Sequence, residues 1–183
     1  MNRRTLLAAG VALAMIPAAA MAHGPTRQKV TVTTEVAAEP AEVWAAIGDF
    51  QDLTWHPAVV SQSGEGGNEI DATRTLYLSD QGAEGPMIAE VLYKYSDEKM
   101  SYSYRITEVA VEVLPVTNYS SHLTVMPRDG GGSVVEWRGA FYRGYPNNDP
   151  PEELNDEAAI AAVTGVYEAG LQALVERFGE PSS

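Results

Sequence analysis

From Gln28 to Glu35 (QKVTVTTE) apolar and polar residues alternate, and Val and Thr dominate. That pattern predicts a β-strand. The period then lengthens. Val43, Ala46, Ile47 and Phe50 fall at helical spacing after Pro40, which suits a first helical turn. Asp52 to His56 reads as a second short helical segment, ended by Pro57, because a residue before proline is pushed out of the helical region. Alternation returns at Val59 to Ser63, Ala72 to Leu78, Met87 to Tyr95, Met100 to Val109, Thr117 to Met126 and Ser133 to Arg143. Ser96 to Lys99 and Pro127 to Gly132 read as hairpin connections, so the close spacing predicts an antiparallel meander.

The last periodic stretch is the longest. Asp149 can serve as N-cap, Pro150 suits the first helical position, and Glu152 completes a capping box. The helix is expected to end near Phe178, with Gly179 just beyond it. Ile160, Val163, Tyr167, Leu171, Leu174 and Phe178 form one large apolar stripe, expected to pack on the sheet. Ala158, Ala162, Gly165, Ala169 and Ala173 form a small-residue stripe on the other side. The order is strand, two short helices, six strands, long helix. It predicts an α+β domain in which a curved antiparallel sheet of about seven strands wraps a C-terminal helix. The space between sheet and helix is a natural ligand cavity.

The first residues do not fit this pattern. Arg3 and Arg4 precede an apolar run, Leu6 to Ile16, too short to span a bilayer. Ala20-Met21-Ala22 then offers the small residues of a cleavage site. Residues 1–22 are therefore expected to be a cleaved signal peptide, of Sec or twin-arginine type, with residues 23–183 forming one periplasmic domain without stable membrane insertion. Loss of residues 1–22 leaves 10 Lys+Arg against 25 Asp+Glu, a formal charge of −15. Such acidity argues against nucleic acid as partner and favours steering toward a basic protein. With no cysteine, the domain has no disulfide or metal-thiolate staple and depends on its own core.

Several segments carry a resemblance. Pro40-Ala41-Glu42-Val43-Trp44, Ile47-Gly48-Asp49-Phe50 and Trp55-His56-Pro57 resemble the opening of the SRPBCC superfamily, the START-like or helix-grip proteins of polyketide cyclase/dehydrase type. Arg74-Thr75-Leu76, Pro115 to Tyr119, and Val135-Glu136-Trp137 with Phe141 resemble its later strands. The resemblance covers nearly all of the expected mature chain and implies a helix-grip fold. Within that superfamily the exported, short chain looks most like the MxaD branch. That likeness implies a non-enzymatic accessory protein beside a methanol or alcohol dehydrogenase and its cytochrome c. Other members imply two alternatives: a carrier of a small hydrophobic ligand, or a cyclase-like enzyme.

Candidate chemistry is sparse. His56, between Trp55 and Pro57, is either a ligand contact or proton carrier at the cavity mouth, or a histidine that fixes the path of a turn. Arg74 and Glu90 lie in alternating strands and form either a buried pair or a surface pair; the family pattern favours the cavity. Met100, Tyr102, Tyr104 and Ile106 share one face of a strand and suit an apolar pocket with hydroxyl anchors. Asn118 and His122 share a face of the next strand and are expected to add polar groups. The acidic run from Asp149 to Glu157 lacks the spacing of a calcium loop, and no cofactor or metal is implied. No nucleotide-binding, hydrolase or zinc-protease motif occurs, although a cyclase needs only a shaped pocket and one acid–base residue.

Overall fold

The computed structural model describes residues 24–181, so the expected signal peptide lies outside the described residues. Within them the chain forms seven strands and two α-helices, all contributing to one α+β layer structure. The strands are β1 Gln28–Val36, β2 Ser61–Glu65, β3 Thr73–Tyr77, β4 Met87–Ser96, β5 Ser101–Val109, β6 Val116–Pro127 and β7 Ser133–Arg143. Every pairing is antiparallel, in the order β1-β7-β6-β5-β4-β3-β2. Five of these neighbours are joined as a meander, which local turns can build. The sixth pairing joins β1 to β7, the first strand to the last, from Gln28↔Phe141 to Val36↔Ser133. The sheet therefore carries the first strand beside the last, has β1 and β2 as its edges, and packs against the two helices, in agreement with the helix-grip expectation.

Helix α1, Pro40–Ile47, begins with its proline and buries Val43, Trp44 and Ile47. Trp44 Nε1 donates to Asp97 Oδ1 at 2.6 Å, which ties α1 to the β4–β5 turn. Beyond α1, the second short helical segment takes the form of consecutive turns. Asp52, His56 and Val59 each donate to a carbonyl three residues back. Side chains from outside hold this path: Asn68 Oδ1 accepts from Phe50 N at 2.7 Å, and Gln62 Oε1 from Leu53 N at 2.8 Å. Pro57 removes a donor, so the turns cannot propagate as a helix.

Helix α2 runs from Asp156 to Phe178. Its start corrects the expected one. The N-cap is Asn155, whose Oδ1 accepts from Ala158 N at 2.7 Å, whereas Asp149 sits at φ 55° and Glu152–Leu154 make a separate 3-10 turn. Pro151 explains the shift, because it disfavours helical backbone at Pro150 and is itself extended. The large stripe packs on the sheet through Val163, Tyr167, Leu171 and Leu174, joined by Ala159 and Gly170. Ile160 is exposed, since the true stripe is rotated toward Ala159. By length and composition α2 could cross a bilayer, yet its buried face is taken by the sheet.

Candidate functional site

The inner face of the sheet is unusually aromatic. Alternation along β5 turns Tyr102 and Tyr104 inward, at 1% and 2% exposure, as expected. Tyr119 from β6, Trp137 and Phe141 from β7, and Tyr167 from α2 join them. Trp137 and Tyr167 stack with ring centroids 4.6 Å apart. Their polar ends are linked: Tyr119 and Tyr167 hydroxyls lie 2.5 Å apart, Ser121 Oγ lies 2.9 Å from the Tyr167 hydroxyl, and Trp137 Nε1 donates to Ser121 Oγ at 3.0 Å. Burial pushes the Tyr104 and Tyr119 hydroxyls well above the usual tyrosine range. These groups thus serve as neutral donors and acceptors. A Cβ at Gly139 would meet the Tyr167 hydroxyl, so glycine there leaves room for this network.

Arg74 and Glu90 are a buried pair. They stand directly opposite across β3 and β4, and Arg74 Nε donates to Glu90 Oε2 at 2.6 Å. Arg74 Nη1 donates to the Phe50 carbonyl at 2.9 Å, and its guanidinium lies 4.3 Å from the Phe50 ring centroid and 5.0 Å from that of Tyr104. Arg74 therefore anchors the turn segment to the sheet while staying charged. Burial raises the Glu90 carboxyl, and the Arg74 cation opposes that rise. Arg74 Nη2 and the Tyr102 hydroxyl are buried without a hydrogen-bond partner among the described residues.

His56 is also buried, at 3% exposure. Its Nδ1 accepts from Ala58 N at 3.1 Å. The other ring nitrogen, Nε2, therefore carries the proton and donates to the Val166 carbonyl on α2 at 2.8 Å. Burial lowers the pKa of this imidazole, which favours the neutral ring. Both nitrogens are committed to backbone, so His56 braces the turn against α2 and has no free lone pair for a substrate. Close packing continues here: a Cβ at Gly170 would meet His56 Cδ2 at 2.6 Å and Trp137 Cζ3 at 2.9 Å. Trp55 lies against Trp137 with ring centroids 5.8 Å apart and planes tilted by 50°, and its Nε1 is unpaired among the described residues.

Between these groups lies a cavity of about 90 Å³. Leu53, Val59, Leu76 and Ile88 line one side, and Tyr104, Tyr119, Trp137 and Val166 the other. Of the residues singled out from sequence as pocket candidates, His56, Glu90, Tyr104 and Ile106 reach it directly. Arg74, Tyr102 and Trp55 stand behind that lining. Asn118 and His122 do not belong to it, which corrects the expectation for β6. The β6–β7 register shifts between Thr117 and Ser120, and Asn118 sits in this bulge at φ 48° and is exposed. From Tyr119 to Val125 the alternation is unbroken, with Tyr119, Ser121, Leu123 and Val125 buried, so Asn118 and His122 do share a face, but it is the outer one. Tyr119 and Ser121 were missed as site groups although alternation with Leu123 and Val125 signals their side, and Tyr167 was read only as part of the packing stripe of α2, because no local pattern shows which hydroxyls a strand and a helix bring together.

Residues 27–179 match the family described as polyketide cyclase/dehydrase and lipid transport. The protein XoxI from Bacillus cereus is 33% identical, over 82% of this chain and 94% of its own, with a TM-score of 0.67. An uncharacterised protein from Bacillus thuringiensis is 32% identical, over 82% and 98%, with a TM-score of 0.66. Norcoclaurine synthase from Thalictrum flavum shares the fold alone, at 14% identity, 96% and 98% coverage and a TM-score of 0.61. No match occurs among curated proteins. A seven-stranded sheet gripping a long C-terminal helix, matched from β1 through the end of α2, places this chain in the polyketide cyclase/dehydrase and lipid transport family.

Proposed function

We propose that the chain is a non-enzymatic periplasmic accessory protein of MxaD type. In this reading it assists a methanol or alcohol dehydrogenase and its cytochrome c by surface contact. The observation that carries it is the filled interior. A cavity of about 90 Å³ is far below the several hundred Å³ that enclose a typical small-molecule ligand. The histidine best placed for acid–base work spends both ring nitrogens on backbone. The formal charge of −15 expected after signal cleavage supports steering onto a basic partner. The test is titration calorimetry of residues 23–183 against a basic periplasmic dehydrogenase and a basic cytochrome c. Binding that weakens steeply with salt supports the proposal; no binding to either at low salt overturns it.

A second reading is a binder of a small hydrophobic molecule. Its support is the apolar lining of the cavity, with Glu90 and Tyr104 as its polar groups. Native mass spectrometry of protein taken from its own periplasm tests it. A consistently ligand-free mass counts against this reading. A cyclase-like role for His56 with Tyr102 or Tyr104 requires the imidazole to leave two hydrogen bonds, and unchanged turnover in His56→Ala would end it.

A further inference from the structure

The outer face of the sheet holds a feature that the interior does not explain. Lys29, Lys94 and Arg138 converge with His122, Ser103 and Tyr93 on a groove of about 560 Å³. Register alone assembles most of it. Lys94 stands opposite Ser103, Ser103 opposite His122, and His122 opposite Arg138, in one row across β4, β5, β6 and β7. A second groove continues from it, sharing Tyr93, Lys94, Ser103 and His122 and adding Lys99. Among the described residues no carboxylate lines either groove, although the chain holds 25 Asp+Glu against 12 Lys+Arg. Cations are thus gathered along this row, with Glu136 beside it, 3.7 Å from Arg138.

The donors are also largely uncommitted. Neither Lys29 nor Lys94 has an ion pair among the described residues. Arg138 has one long contact, 3.7 Å to Glu136, and its side chain is 57% exposed. Ser103, at 4% exposure, lies 2.8 Å from His122 Nδ1 and so fixes the ring, whose Nε2 makes no hydrogen bond among the described residues. Two ammonium groups, a guanidinium and an oriented imidazole form a donor set for a tetrahedral oxyanion.

We propose that this groove on the outer sheet face binds a small phosphate-type oxyanion, separately from the interior cavity and from any dehydrogenase partner. Charge decides between the sources of such a group. Beyond about 10 Å, salt screens the acidic remainder of the molecule, so a small ion in the groove responds to the nearby cations. An extended anionic membrane meets the net negative charge of the whole molecule and is repelled.

The probe is inorganic phosphate, added to full-length mature protein (residues 23–183) at a constant ionic strength of about 0.1 M, where the Debye length is about 10 Å, with His122 ring signals followed by NMR. Burial, Arg138 and Lys94 lower the His122 pKa, while Glu136 opposes them, with Lys29 across the groove. A bound phosphate is expected to raise that pKa, because a nearby anion favours the imidazolium. The effect should saturate, and chloride at matched ionic strength should not reproduce it. Lys94→Gln and Arg138→Gln should each weaken binding about tenfold, whereas Arg177→Gln on α2 should not. Absence of a saturable shift up to about 20 mM phosphate overturns the proposal. An equal response to chloride overturns it too. Vesicles containing phosphatidylglycerol should not sediment the protein; sedimentation without a response to free phosphate would assign the groove to lipid instead.

Discussion

Arg74 and Glu90 hold each other in place, and each would be stranded without its partner. Removing one member of a buried pair costs about 3–5 kcal/mol, whereas replacing both with apolar groups is often close to neutral. Arg74→Leu should therefore lower the unfolding free energy by about 3–5 kcal/mol, and Arg74→Leu with Glu90→Leu should recover much of that loss. Urea denaturation of the single and double variants measures both; a fully additive double variant would contradict the pairing. His56 gives a second prediction. Burial depresses its folded pKa below the unfolded 6.5, the Val166 carbonyl acting in the opposite sense. The unfolded chain thus takes up the proton first as pH falls. The His56 contribution to stability is complete above about pH 6.5 and is lost as pH drops toward the lower folded value. His122 is shifted in the same direction, so the comparison needs a variant. The fall in Tm between about pH 7.5 and about pH 5.5 should be smaller in His56→Gln than in the wild type.

Helix α2 shows what an element's two faces demand. At Gly170 the helix presses on His56 and Trp137, and an added methyl has nowhere to go. Gly165, on the exposed side, has open space around it. Gly170→Ala is expected to destabilise by about 1–3 kcal/mol through overpacking. Gly165→Ala is expected to stabilise by roughly 0.5–1 kcal/mol, since alanine loses less backbone entropy in a helix. Equal effects of the two substitutions, measured by thermal unfolding, would refute the orientation of α2. The helix start makes a related point. Asn155→Ala should cost about 1 kcal/mol, and Asp149→Ala much less, because only Asn155 caps α2.

Across the whole molecule, the charges are unevenly spread. Acidic residues dominate overall, while Lys29, Lys94 and Arg138 share one sheet face. A net charge this far from zero strains the compact state by self-repulsion. Raising salt from about 0.01 M to about 0.2 M should therefore raise Tm, as screening shortens the reach of that repulsion. A Tm that falls with salt would mean that the ion pairs dominate instead.

The strands of the meander, α1, the long C-terminal helix and the inward pair Tyr102 and Tyr104 were legible in the sequence. Each depends on a local period, a hairpin-length connection or a proline whose effect is felt within a few residues. The pairing of Arg74 with Glu90 was legible as one of two alternatives. Tertiary structure alone decided the rest. The β6 bulge at Asn118 changed the parity between Val116 and Tyr119, so Val116 and Tyr119 are both buried although three positions apart. The start of α2 is an exception, because Pro151 restricting Pro150 and Asn155 capping Ala158 N are local effects that outweighed the apparent cap at Asp149. The β1–β7 pairing joined the first strand to the last across roughly 100 residues, and α2 packs against these two strands. Sequence periodicity predicts a face; which neighbour occupies it, and how much room is left, depends on long-range packing that no local pattern encodes.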